Sequence, residues 1–144
     1  MLRNRLQAYS SVDKATMSGR DIEAEVLTLA AAKLKQCQDG WNDADRSKKL
    51  QDALKYNQMI WSVFQGDLLD PTNPLPTHLK QQLLSLSAFV DKRIFDVMAY
   101  PEPQKISILI SINMNIAAGL KESAQKTIGA KIHNHGQVNL SASL

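Results

Sequence analysis

Apolar residues along the chain recur in steps of three and four, the spacing that gathers side chains on one face of a helix. From Ile22 they fall at Ile22, Val26, Leu29, Ala30, Leu34 and Cys37, predicting a first helix. Ser18, three residues before Asp21, resembles a capping box with a shortened acid, and Gly40 supplies a stop. Leu50, Leu54, Asn57, Trp61, Phe64 and Leu68 step by 4, 3, 4, 3 and 4, a heptad-like seam in which only Asn57 is polar. Asn42, Asp43 or Asp45 can cap its start, and Asp70-Pro71 ends it, because a residue before proline avoids helical geometry. A third seam follows a proline cluster: Leu79, Leu83, Leu86, Val90, Ile94 and Val97, broadened by Phe89 and Met98, with Pro76 or Thr77 at its start.

The segment after Pro101 and Pro103 reads two ways. Ile106 to Ile112 is rich in β-branched residues and fits a buried strand locally. No other segment supplies a strand to pair with it, whereas Ile106, Leu109, Ile110, Asn113, Ile116, Ala117 and Leu120 share a helical face ending near Gly119. A fourth helix is the expectation, with Ile108, Ile112 and Met114 outside its main face, so that it is apolar over much of its circumference. Beyond Lys121 the periodicity fades. The pattern therefore predicts an all-α fold: an antiparallel bundle of about four helices, preceded by a short N-terminal arm around Leu6 and Tyr9 and followed by a loose C-terminal tail. A helical domain over 1–120 and a flexible extension over 121–144 are the expected division.

Composition narrows the class without changing that picture. The chain has 144 residues, enough for one domain with its own core, and 44% hydrophobic and 22% charged residues suit an ordinary globular protein. Its longest apolar run, Ile106 to Leu120, contains Ser107, Ser111, Asn113 and Asn115 and is shorter than the roughly 20 residues a bilayer needs. The N-terminus lacks the continuous apolar stretch of a signal peptide, which points to a cytoplasmic protein. The net charge of +3 is scattered: six basic and five acidic residues in 1–40, seven and seven in 41–99, four and two in 100–144. No basic stripe emerges to hold nucleic acid.

Candidate chemistry is sparse. There is no glycine-rich phosphate loop, nucleophile elbow or zinc-binding histidine helix. His133 and His135 form a pair without further ligands, so no metal site is expected. Cys37 sits on an apolar face and reads as packing, and His78 beside Pro76 as a surface or capping residue. Neither an enzyme nor a cofactor is expected. The seams say more. Asn57 and Asn113 put amides where aliphatic side chains belong, and burying an unpartnered amide costs about 1 to 3 kcal/mol. Each therefore sets internal register or meets a ligand. Trp61 and Phe64 are core residues by default and interface anchors by type.

Several segments are familiar in combination: Asn57-Gln-Met-Ile60-Trp61-Ser-Val-Phe64-Gln-Gly-Asp67-Leu68, then Asn73-Pro-Leu75-Pro76, Leu84-Ser85-Leu86 and Phe89-Val90, and finally Leu109-Ile110-Ser-Ile112-Asn113 with Gly119-Leu120. In this order and spacing they resemble the FlaF family of flagellar biosynthesis regulators, over roughly residues 8 to 120. Ile60 stands where family members often have Leu, and Phe89 where they often have Trp. The resemblance implies a small cytoplasmic helical protein without enzymatic activity that binds flagellin as a secretion chaperone and promotes its production and export. It also implies a second regulator, FlbT, acting on the same flagellin. The expected site is an apolar groove of Trp61, Phe64, Phe89 and Ile112 receiving a flagellin helix, oriented by Asn57 and Asn113. The alternative is a regulator that binds flagellin messenger RNA.

Overall fold

The computed structural model describes residues 19–133, with side-chain surroundings for 19–123. The expected arm around Leu6 and Tyr9, and the tail beyond residue 133 with His135, lie outside the described residues. Within them the chain forms four helices and no strand: α1 (Gly19–Asp39), α2 (Arg46–Leu69), α3 (Thr77–Ala99) and α4 (Ser107–His133), with one 3-10 turn (Pro103–Ile106) leading into α4. The β-branched run Ile106 to Ile112 is helical, as its helical periodicity requires. Among the described residues no helix is long and apolar enough to cross a membrane.

Each boundary has a local cause. After α1, a Cβ on Gly40 would meet the Asp43 carboxylate, an exposed side-chain end that would have to swing aside for a larger residue. Arg46 stacks on Trp41, 4.3 Å from the ring centre, and closes the same turn. Asp45 occupies the N-cap position of α2 but makes no side-chain capping bond; its carboxylate pairs with Lys49 at 3.2 Å instead. At the other end the Asn73-Pro74-Leu75-Pro76 motif ties off the helix. The Asn73 amide donates to the Asp67 carbonyl and carboxylate, both at 3.1 Å, while its own oxygen accepts the Leu75 N–H at 3.0 Å. Thr72 folds onto Asp70 through its N–H and hydroxyl. The Pro76 carbonyl then accepts from Leu79 and Lys80 to start α3.

Gly119 does not end the fourth helix. An exposed helical glycine costs about 1 kcal/mol relative to alanine, too little to break a helix flanked by good formers, and α4 runs on to His133.

Helix α1 is the centre of the packing. It lies against α4 most extensively and against α2 on another side, while α3 reaches the rest through α2 and the 3-10 turn. Two-sided packing explains why α1 buries Ala24, Leu27 and Ala31 beyond its expected seam, and why Leu29 is left exposed. Gln38, at the end of α1, donates to the Pro103 carbonyl and to the Ser107 hydroxyl, each at 2.9 Å. The end of α1 is thus fixed beside the start of α4, and the two run antiparallel. The core gathers Ile22, Leu34, Leu54, Ile60, Trp61, Ile94, Ile106 and Leu109, all essentially without solvent contact.

Candidate partner-binding surface

Three of the residues singled out by pattern meet inside the bundle. The Trp61 indole N–H on α2 donates to the Asn113 side-chain oxygen on α4 at 2.9 Å, and the Asn113 amide donates to the Asn57 side-chain oxygen at 2.5 Å. All three side chains are buried. The relay ends on the Asn57 amide nitrogen, which is buried and has no partner among the described residues. Polar groups in an apolar seam settle two helices at one register, since any slip would break both bonds. Asn57 and Asn113 therefore spend their hydrogen bonds on the protein itself, the internal-register alternative, and neither amide is offered to solvent.

The other expected residues surround this relay. Phe64 lies edge-on to Trp61, with ring centres 5.7 Å apart and planes at 76°, and is half-buried. Ile112 is at the margin of the core and nearly closed off. Phe89 alone of the six is open, 39% exposed, with the Arg93 guanidinium 5.5 Å from its ring centre. The groove expected around Trp61 is filled at its floor by the protein's own chain.

Sequence reasoning passed over Leu69, Phe95 and Tyr100, and put Met98 with the third seam, yet all four are exposed. On α3, Phe95 is 59% exposed, and Met98, one turn further, is exposed as well. Leu84, Ala88, Asp91, Phe95 and Met98 step by 4, 3, 4 and 3, a second seam running alongside the buried one of Val90, Ile94 and Val97. That spacing was a readable signal. Leu69, at the end of α2, and Tyr100, just past α3, are also largely exposed. Helix α3 thus presents aromatic and aliphatic side chains on both flanks of its packed edge.

Polar clamps hold this helix in place. The Gln65 amide on α2 donates to the Ser87 hydroxyl and, at 2.9 Å, to the Asp91 carboxylate. At the other end Arg93 donates to the Lys105 carbonyl at 3.3 Å, and Lys105 pairs with Asp96 at 3.2 Å.

Burial shifts two titratable groups of α1. Burial pushes the Cys37 thiol up, which disfavours the nucleophilic thiolate. Burial likewise raises Glu23 to about 7, against Arg20 and with help from Asp67. Among the described residues no three His, Cys, Asp or Glu side chains converge as a metal site requires.

Residues 5–120 match the family described as flagellar protein FlaF. The chain belongs to the FlaF family. No curated relative and no solved structure matches it. The segments that carry the resemblance have physical roles in this chain. The Trp61 and Asn113 segments supply the buried relay, and the Asn73 to Pro76 loop joins α2 to α3. The match ends at residue 120, whereas α4 continues for a further 13 residues.

Proposed function

We propose that this FlaF protein binds flagellin in the cytoplasm before export and acts as its secretion chaperone, without enzymatic activity. The carrying observation is the set of exposed apolar side chains on α3, Phe95 and Met98 on one flank of its packed edge and Phe89 on the other, while the buried relay keeps α2 and α4 in one register. Flagellin's terminal segments pair as helices only in the filament, a property the family's role implies, so before export their apolar stripes lack a partner. An amphipathic helix laid along α3 would cover both surfaces at once. Ordering such a segment costs about 2 to 5 kcal/mol. At about 25 cal/mol per Å², roughly 80 to 200 Å² of extra apolar burial offsets that cost, an area two or three aromatic side chains supply.

Calorimetric titration of flagellin into Phe95→Asp and Phe89→Asp variants tests the reading, with Lys48→Glu on α2 as a control. Affinity should fall at least tenfold in the first two and stay unchanged in the control, with helical circular dichroism preserved in all. Unaltered affinity in folded Phe89 and Phe95 variants would remove α3 from the interface.

A further inference from the structure

The inward seam of α3 is sealed along only part of its length. Val90, Ile94 and Val97 have no solvent contact, whereas Leu79, Leu83 and Leu86, earlier on the same face, are only partly covered. Leu86 packs against the margin of the core; among the described residues Leu79 and Leu83 do not join it. Phe64, Ile116 and Leu120 are likewise only partly covered. The topology brings all of these to one end of the bundle. The short turn of residues 40–45 makes α1 and α2 antiparallel, so the start of α1 stands beside the end of α2, where Glu23 feels the Asp67 charge. Asn73 ties the approach to α3 back to Asp67. Helix α4, antiparallel to α1, carries Ile116 and Leu120 towards the same end.

Helix α1 begins at Gly19, so the 18 residues before it join the fold at the end where these leucines are open. They carry Leu2, Leu6, Tyr9 and Val12 at steps of four, three and three, the spacing of one apolar helical face. Such a segment reaches about 60 Å fully extended and about 27 Å as a helix, whereas Leu79 to Leu86 spans roughly 10 Å, so its length is ample. We propose that residues 1–18 dock within their own chain over Leu79, Leu83 and Leu86, with Leu6 and Tyr9 as anchors, and close this end of the bundle. The small area favours a tethered occupant. Three partly covered leucines fall well short of the roughly 1,200 Å² that stable complexes of separate molecules bury. A segment joined by a short connection acts at an effective concentration of about millimolar, and needs far less area. The FlaF match favours this segment over the tail, because it takes in residues 5–18 together with the leucines and stops at 120. The docking face is the inward side of α3, apart from the flanks that carry Phe89, Phe95 and Met98, and does not depend on the flagellin reading.

Cysteine cross-linking in the full chain tests the proposal. In a Cys37→Ala background, Leu83→Cys is combined in turn with Leu2→Cys, Leu6→Cys and Tyr9→Cys, and each pair is oxidised mildly at low protein concentration. Circular dichroism checks that every variant keeps its helices. A disulfide needs Cα atoms within about 7 Å. At least one pair should close inside a single chain about tenfold faster than Leu6→Cys combined with Lys48→Cys, which lies at the opposite end of the bundle. Leu6→Asp in the otherwise native chain should quicken amide exchange over Leu79 to Leu86 about threefold and leave Val97 and Leu109 unchanged. If no pair closes faster than the control, the proposal is overturned. Disulfide-linked dimers in place of the internal bond would give the patch to a second copy, and faster closure of Leu83→Cys with Ser141→Cys would give it to the tail; either overturns it. So does slow closure accompanied by protection of Leu79 to Leu86 on adding flagellin, which would give the patch to flagellin.

Discussion

Asn113 is both acceptor and donor in the buried relay: its oxygen accepts the hydrogen bond of the Trp61 N–H and its amide donates one to Asn57. Asn57 only accepts, and its own amide is already unpaired. The two asparagines should therefore respond unequally to the same substitution. Asn113→Leu strands the Trp61 N–H and the Asn57 oxygen together and should cost about 2 to 4 kcal/mol in urea unfolding. Asn57→Leu strands the Asn113 amide but deletes an unsatisfied donor, and should cost about 1 to 2 kcal/mol. Equal losses would mean that the relay is not the source of the effect. Both residues were legible as anomalies in their seams. Their pairing was not, because the partners lie 56 positions apart and only tertiary packing brings them together.

At the scale of the helices, periodicity located α2 and α3 well: the seams Leu50 to Leu68 and Leu79 to Val97 lie within Arg46–Leu69 and Thr77–Ala99. It did less well for α1, where contact on two sides buried residues outside a single seam, and for α4, whose glycine was given more weight than its propensity cost warrants. The exposed apolar flank of α3 was legible as spacing. That it would remain uncovered was not, since exposure depends on which neighbours arrive. Because α3 joins the rest mainly through α2 and one turn, the Gln65 clamp matters disproportionately to it. In Gln65→Leu the buried Ser87 hydroxyl loses its partner, and amide hydrogen exchange over α3 should quicken several-fold while α1 and the start of α4 keep wild-type protection. Uniform acceleration across all four helices would indicate global destabilisation instead.

For the molecule as a whole, Glu23 links stability to pH. Burial raises its carboxyl from 4.5 to about 7, outweighing Arg20, so the folded chain holds the proton more tightly than the unfolded chain. The stability this group contributes is full below 4.5 and is lost as pH rises towards 7, because only the unfolded chain releases the proton easily across that window. Glu23→Gln should flatten the decline, and the wild type and variant should diverge by on the order of 2 kcal/mol across it, after allowance for partial exposure. Denaturant titrations at several pH values read the difference directly. Parallel curves for the two proteins would assign the decline to other groups.

The close pairing of the first described helix with the last sets a timetable for synthesis. Asp39 ends α1 and Ser107 begins α4, so the 67 residues 40–106 must be translated before the major partner of α1 even starts to emerge. At about 5 to 20 residues per second, that interval is roughly 3 to 14 s. Throughout it, Ile22, Leu27 and Leu34 wait on the ribosome without α4, the described helix that packs against α1 most extensively. Nascent chains arrested before Ser107 should accordingly be cleaved by protease within α1, and chains released after Leu120 should resist.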